Sequence, residues 1–250
     1  LKVMGVLDFA GGTVVHMSAG FAALAGALVL GRRTSSGEEQ QHTPANIPYI
    51  ILGTGMLWFG WFGFNAGSAG AANEQAALAL ATTNTASAAG ALSWIFFDMV
   101  RGRKPSAMGA CIGAVGGLVA ITPAAGFVSV GASLFIGAFS AIVSQAVVYV
   151  KSKSGIDDTL DVFACHGIGG AMGMLLTGVF AKDVGLVFGP TKTFLLHVGA
   201  LGFVACFSFF GSYLLFKLTD WLIPMRVSAR EEELGLDLTQ HGESLHGDEL

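Results

Sequence analysis

The sequence predicts an all-α, polytopic membrane protein, and three observations carry that prediction. Of its 250 residues 53% are apolar and only 12% are charged, with a mean hydropathy of +0.65, a balance unsuited to a soluble surface. Glycine is abundant, 36 residues, which destabilises soluble helices but lets membrane helices approach closely. Finally, seven apolar segments approach or exceed the roughly 20 residues that a helix needs to cross the hydrocarbon core.

Those segments are residues 7–30, 47–66, 76–100, 107–122, 127–150, 162–180 and 194–222. The fourth is short and glycine-rich, the weakest of the set. An odd number of spans places the two ends of the chain on opposite sides. Alternate connections carry Arg32 and Arg33, then Arg101, Arg103 and Lys104, then Lys151 and Lys153, and finally Lys217, Arg226 and Arg230. Those are ten of the thirteen basic residues, against Lys2, Lys182 and Lys192 on the other side. Because positive charge accumulates in cytoplasmic loops, the N-terminus is expected outside and the tail inside. Residues 1–224 thus form a transmembrane domain and 225–250 a cytoplasmic tail, a short helix followed by coil, with 244–250 an acidic, disordered end. The hydrophilic stretch 33–48 reads as a cytoplasmic loop. Small residues four apart, Gly63/Gly67, Gly109/Gly113/Gly117 and Gly169/Gly173, mark close helix contacts.

Several function classes fall away. Cys111, Cys165 and Cys206 stand singly in apolar runs, giving neither a disulfide framework nor a zinc motif, so they read as packed thiols. The net charge of −4 offers no basic field for nucleic acid. No cofactor motif, phosphate-cradling loop or nucleophile-base pair argues for an enzyme. The chain opens at Leu1 without an initiator Met or a recognisable signal peptide, and it reads as a fragment or a processed product.

The most informative pattern is an internal repeat. Asp8 precedes His16 by eight residues and Asp158 precedes His166 by the same eight; a glycine, Gly20 or Gly170, follows each histidine by four. These landmarks lie on the first and sixth spans, which start from opposite faces, as an inverted-topology repeat with a site at its midplane interface requires. Ionisable side chains within a span are costly and usually face a bundle interior or wet cavity. Neutral imidazole, with one donor and one acceptor, can handle a proton without a permanent charge, and two neighbouring rings could share one. The plainer alternative is that either histidine merely packs; His197, which has no matched partner, is assigned to packing. No third ligand stands at metal spacing beside His16 or His166. Asp8 and Asp158, each near a helix start, suit structural caps better than proton carriers, and Asp161 shares that role.

The run from Trp58 to Ser68 ends the second span on the external side. Its aromatics fit an ordinary membrane belt. They equally fit a vestibule in which ring faces attract a desolvating cation by about 0.5 to 2 kcal/mol while the Ser68 hydroxyl accepts a hydrogen bond from it.

The segment Asp8-Phe9-Ala10-Gly11-Gly12-Thr13-Val14-Val15-His16 closely resembles the signature of the ammonium transporter family, Amt branch. Gly60-Trp61-Phe62-Gly63-Phe64-Asn65-Ala66-Gly67-Ser68, Asp161-Val162-Phe163 leading to His166-Gly167, and Gly235-Leu236-Asp237 with His241-Gly242-Glu243 extend the resemblance along the chain. It implies an ammonium-transporter fold, an inverted-repeat helix bundle of eleven spans of which this chain would hold seven, five to eleven. It also implies a homotrimer with a pore in each protomer, in a plasma or inner cell membrane. His16 and His166 match the paired pore histidines, Phe64 the pore gate, and Ser68 with Trp61 the recruitment site for ammonium or methylammonium. Asp8 matches an aspartate that supports activity in a largely structural role, while Asp158 and Asp161 keep the structural reading given above. Ammonium would lose a proton near Phe64 and pass as ammonia; potassium, with no proton to lose, would be rejected. The tail segment 235–243 would couple protomers and cooperate with a PII-type nitrogen-signalling protein. Other aromatic walls of the outer site belong to earlier family helices, so this stretch alone is expected not to transport. A Rhesus-like neutral gas channel and an ammonium sensor remain the competing readings.

Overall fold

The computed structural model describes residues 1–34 and 46–243. Residues 35–45 of the expected 33–48 loop, and the expected disordered acidic end at 244–250, lie outside the described residues. Among the described residues seven long helices run in the order α1 (Gly12–Leu30), α2 (Ile47–Gly67), α3 (Glu74–Val100), α4 (Ala107–Ile121), α5 (Val130–Ser152), α6 (Phe163–Phe180) and α7 (Lys192–Leu222), followed by a short α8 (Ala229–Leu234).

Local chemistry sets the starts of these helices. The side chains of Asn46, Asn73, Ser106 and Ser129 accept hydrogen bonds from the third residue beyond them, Tyr49, Ala76, Gly109 and Ala132, satisfying amides that have no partner within the helix. In α8 the cap is reciprocal between Ser228 and Glu231, a capping box. Gly31 after α1 has φ 73°, a backbone conformation that glycine adopts without a Cβ clash.

Five of the expected seven spans, α1, α2, α5, α6 and α7, are long and apolar enough to cross a membrane. The other two depart for different reasons. α3 has 27 residues, but Thr82, Thr83 and Ser87 along it are buried in the protein and dilute its apolar content. Thr82 donates to Ala125 O at 2.8 Å and Ser87 to Ala114 O at 3.1 Å, both across to the α4 region. α4 has only 15 residues, about 22 Å, short of the roughly 30 Å hydrocarbon core, and its second half is buried against protein.

Glycines govern how α3, α4 and α5 pack. A Cβ on Gly117 would lie 2.2 Å from Ala86 O, one on Gly113 2.5 Å from Gly90 O, and one on Gly137 2.1 Å from Ala86 O. These helices therefore touch backbone to backbone, as the Gly109/Gly113/Gly117 spacing predicts. Gly173 likewise abuts Ala120 O, whereas Gly63 and Gly67 have nothing within 4 Å among the described residues. One core joins α3, α4, α5 and α6 around Ile121, Val128 and Ile136. A second joins α1, α6 and α7 around Met17, Met174 and Val204.

The basic residues of the alternate connections meet at one end of the bundle. Arg226 donates to Leu30 O and Arg32 O, closing the carbonyl end of α1, and its guanidinium pairs with Glu232 at 3.0 Å. Arg33 forms a two-pronged pair with Asp157, at 2.7 and 2.8 Å, while Lys151 pairs with Asp161 at 2.7 Å. Arg101 and Lys153 lie over the Tyr149 ring at 4.1 and 4.2 Å.

Candidate functional site

The first turns of α1 and α6 are both wound wider than an α-helix, over Gly12–Met17 and Phe163–Ile168, and each wide turn contains one histidine. Such π-turns inside helices concentrate at functional sites. The aspartate eight residues before each histidine anchors its turn. Asp8 accepts from the backbone amides of Gly12 and Thr13 and from the Thr13 hydroxyl. Asp158, buried, accepts from Phe163 N at 2.7 Å. Both carboxylates thus accept backbone amides at helix starts. Asp161, at φ 54°, stands between them in role: its carbonyl takes the Cys165 amide and its carboxylate takes Lys151.

The matched glycines cross reciprocally. A Cβ on Gly20 would fall 2.1 Å from Gly167 N, the residue after His166, and one on Gly170 would fall 3.1 Å from His16 Cβ. Each glycine thus lets the opposite histidine's helix approach, and the two imidazoles meet with Nδ1 to Nδ1 at 3.3 Å. Inverted repetition in the sequence becomes a pairing of side chains 150 residues apart.

These rings line a cavity of about 700 Å³ whose remaining wall is apolar, including Val15, Ala19, Met56, Leu57, Trp61 and Phe64. Trp61 stacks on His16, with centroids 5.3 Å apart and planes 16° from parallel. Phe64 stands 6.3 Å from the same ring. Ser68 does not reach this space. It lines a second cavity of about 770 Å³ with Asp8, Gln75 and Phe127, and its hydroxyl donates to Phe64 O at 2.9 Å. Phe64 and Trp61 therefore belong to the histidine cavity and Ser68 to the neighbouring one.

His197 is fully buried. Its Nε2 accepts from Leu7 N at 3.0 Å, and its Nδ1 donates to Met174 O at 2.7 Å. Both ring nitrogens are used in holding the N-terminal loop and α6 to α7, a packing role. Among the described residues no group of three or more His, Cys, Asp or Glu is arranged to hold a metal.

One site residue escapes the sequence reading. Thr122, just beyond α4, places its Oγ1 3.2 Å from His16 Nε2 and 3.0 Å from Trp61 Nε1. The loop before α1 is tied to the same point, Phe9 N and Ala10 N donating to Pro123 O and Thr122 O. The available signal is only a hydroxyl beside a helix-ending proline, and its partner His16 is 106 residues away.

The sequence model of the Ammonium Transporter Family matches residues 1–245. An ammonium transporter of Aquifex aeolicus is 46% identical over 97% of this chain and 57% of its own length. One from Bacillus subtilis is 43% identical over 99% and 62%. The chain thus spans about six tenths of the length of these curated relatives. Among solved structures, Mep2 of Candida albicans superimposes with a TM-score of 0.87 at 39% identity, covering 96% of this chain and 56% of that one. A sensor Amt protein gives the same TM-score at 30% identity, covering 96% and 61%.

Proposed function

The chain belongs to the ammonium transporter family, and on that premise we propose that it forms the histidine-bearing wall of a pore that takes ammonium from outside and passes it as ammonia. The observation that carries this reading is the imidazole pair, 3.3 Å apart, on an otherwise apolar cavity wall. A permanent charge at the centre of a bilayer costs about 3 kcal/mol or more. Giving up a proton to water on the outer side, at the aromatic threshold of Phe64 and Trp61, lets a neutral molecule continue, with the imidazoles as its hydrogen-bonding partners. Potassium has no proton to give up and meets the full barrier.

The same proposal assigns Ser68 and the second cavity to cation recruitment on the outer side. The basic end bearing Arg33, Arg101, Lys151 and Arg226 faces the cytoplasm, as the distribution of positive charge in membrane proteins supports. A sensor reading has one observation in its favour, the likeness to the sensor Amt protein at 30% identity. The 46% and 43% identities are to proteins named transporters, and they favour transport.

The test is methylammonium uptake by the full-length protein in liposomes. Replacing both His16 and His166 with alanine is expected to abolish uptake or to admit potassium. Unchanged, potassium-excluding uptake in the folded double variant refutes the role given to the pair.

A further inference from the structure

We propose that Thr122 is a positioning residue that fixes which nitrogen of each paired imidazole carries the proton, leaving His166 Nε2 as the pair's proton acceptor. The inference deepens the proposed function and rests on it for its relevance to transport, but its geometry stands separately.

A threonine hydroxyl has one hydrogen to donate and two lone pairs. In this structure the hydrogen goes to Leu118 O at 2.8 Å. The Thr122 backbone amide, which would meet Leu118 O if the helix continued, bonds Val119 O at 3.2 Å instead. Leu118 is fully buried, and a buried carbonyl left without a donor is costly. The hydroxyl can then only accept from its two other neighbours. Trp61 Nε1 can only donate, and it does so at 3.0 Å. His16 Nε2, at 3.2 Å, must therefore carry a hydrogen as well.

The rest follows from neutral imidazole having one donor and one acceptor. With its hydrogen on Nε2, His16 presents a bare Nδ1 to His166. His166 Nδ1, 3.3 Å away, must supply the hydrogen of that bond, and His166 Nε2 is left with a lone pair. The chain of donors runs one way: His166 Nδ1–H to His16 Nδ1, His16 Nε2–H to Thr122, Thr122 O–H to Leu118 O. A proton taken up at His166 Nε2 can move its neighbour from His166 Nδ1 onto His16 Nδ1, forming one N–H bond as another breaks. It goes no further, because Thr122 cannot take a proton from His16 without passing its own to a peptide carbonyl. Exchange between the pair and the pore is thereby confined to the His166 end.

Solid-state NMR of 15N-histidine-labelled, full-length protein in lipid bilayers reads the result directly, since protonated and bare ring nitrogens are well separated in shift; single His16→Ala and His166→Ala variants assign the signals. The expected pattern is a protonated Nε2 on His16 and a protonated Nδ1 on His166. Thr122→Val, which keeps the shape and removes the hydroxyl, is expected to lose this single pattern to a mixture of tautomers, and Thr122→Ser to keep it. The opposite pattern in the unaltered protein overturns the proposal, as does an unchanged pattern in Thr122→Val. The spectra need no transport, so failure here is distinct from failure of the pore reading, which the double alanine variant tests by uptake.

Discussion

Replacing Gly20 with alanine is the sharpest perturbation of the histidine pair that leaves both histidines in place. The added Cβ would lie 2.1 Å from Gly167 N and 2.2 Å from Gly167 Cα. Both are backbone atoms of the opposite helix, so no rotamer change can relieve the contact. Ordinary contact begins at 3.4 Å, so α1 and α6 must separate by about 1.3 Å at the crossing. Added to the 3.3 Å between the imidazoles, that separation breaks their hydrogen bond, whose useful range ends near 3.2 to 3.5 Å. Overpacking of this kind costs about 1 to 3 kcal/mol, against a helix-propensity gain of at most about 1 kcal/mol from glycine to alanine. Two comparisons fix the scale. Gly170→Ala meets His16 Cβ at 3.1 Å and needs only about 0.3 Å of movement. Gly199→Ala on α7 meets nothing within 4 Å, so propensity alone acts and the variant is expected to be neutral or slightly stabilised. Thermal melting of the purified protein in detergent and methylammonium uptake in liposomes should both rank Gly20→Ala below Gly170→Ala, with Gly199→Ala at the level of the unaltered protein. If Gly20→Ala melts and transports like Gly199→Ala, the crossing does not hold the histidines together as argued.

Two further outcomes follow from groups outside the pair. His197→Ala removes a buried acceptor for Leu7 N and a buried donor to Met174 O; it is expected to lower stability by about 2 to 5 kcal/mol while the folded fraction keeps the selectivity of the parent, measured as methylammonium against potassium flux. At the basic end, the Arg33 guanidinium bonded to Asp157 holds that carboxyl below its ordinary range. A depressed folded value means that the pair's contribution is complete above the unfolded carboxyl value near 4 and is lost as pH falls through the folded one. Melting temperature should therefore decline on acidification below about pH 4 more steeply in the parent than in Asp157→Asn, which is expected to be about 1 kcal/mol less stable at neutral pH. Parallel pH profiles for the two proteins would remove Asp157 from the account.

Helix number and the pairing of landmarks were legible because they depend on local chemistry. Apolar length and the eight-residue interval between each aspartate and its histidine both act within a few turns of one helix. Less was legible where a segment's environment is protein. The polar side chains of α3 and the 15 residues of α4 make poor lipid-facing spans, yet both are sound as buried helices. Nothing in their periodicity distinguishes the two settings. The aromatic run shows the same limit. Trp61 and Ser68 lie two turns apart on one segment, but the first turns toward His16 and the second lines the neighbouring cavity. Which way each faces depends on α1 and on the end of α4, and neither is encoded in the run itself.

Thr122 is the residue for which this limit has the largest consequence, because it breaks the symmetry that made the site legible. Taken alone, the repeat brings together two helices with matched aspartates, histidines and glycines, and two identical imidazoles across a pseudo-two-fold axis have no reason to place a shared proton on either side. Gly20 and Gly170 already depart from equivalence, the first meeting backbone at 2.1 Å and the second a side chain at 3.1 Å. Thr122 and Trp61 complete the departure. They reach His16 only, at 3.2 Å and by stacking, while His166 Nε2 has no hydrogen-bond partner among the described residues and its ring lines the cavity. The repeat accounts for the two rings meeting, and the end of α4 accounts for their meeting with a direction. On the proposed reading, such a wall would offer a neutral solute an acceptor at one end of the pair and a closed donor chain at the other, a polarity that no variant confined to the two histidines can separate from their presence.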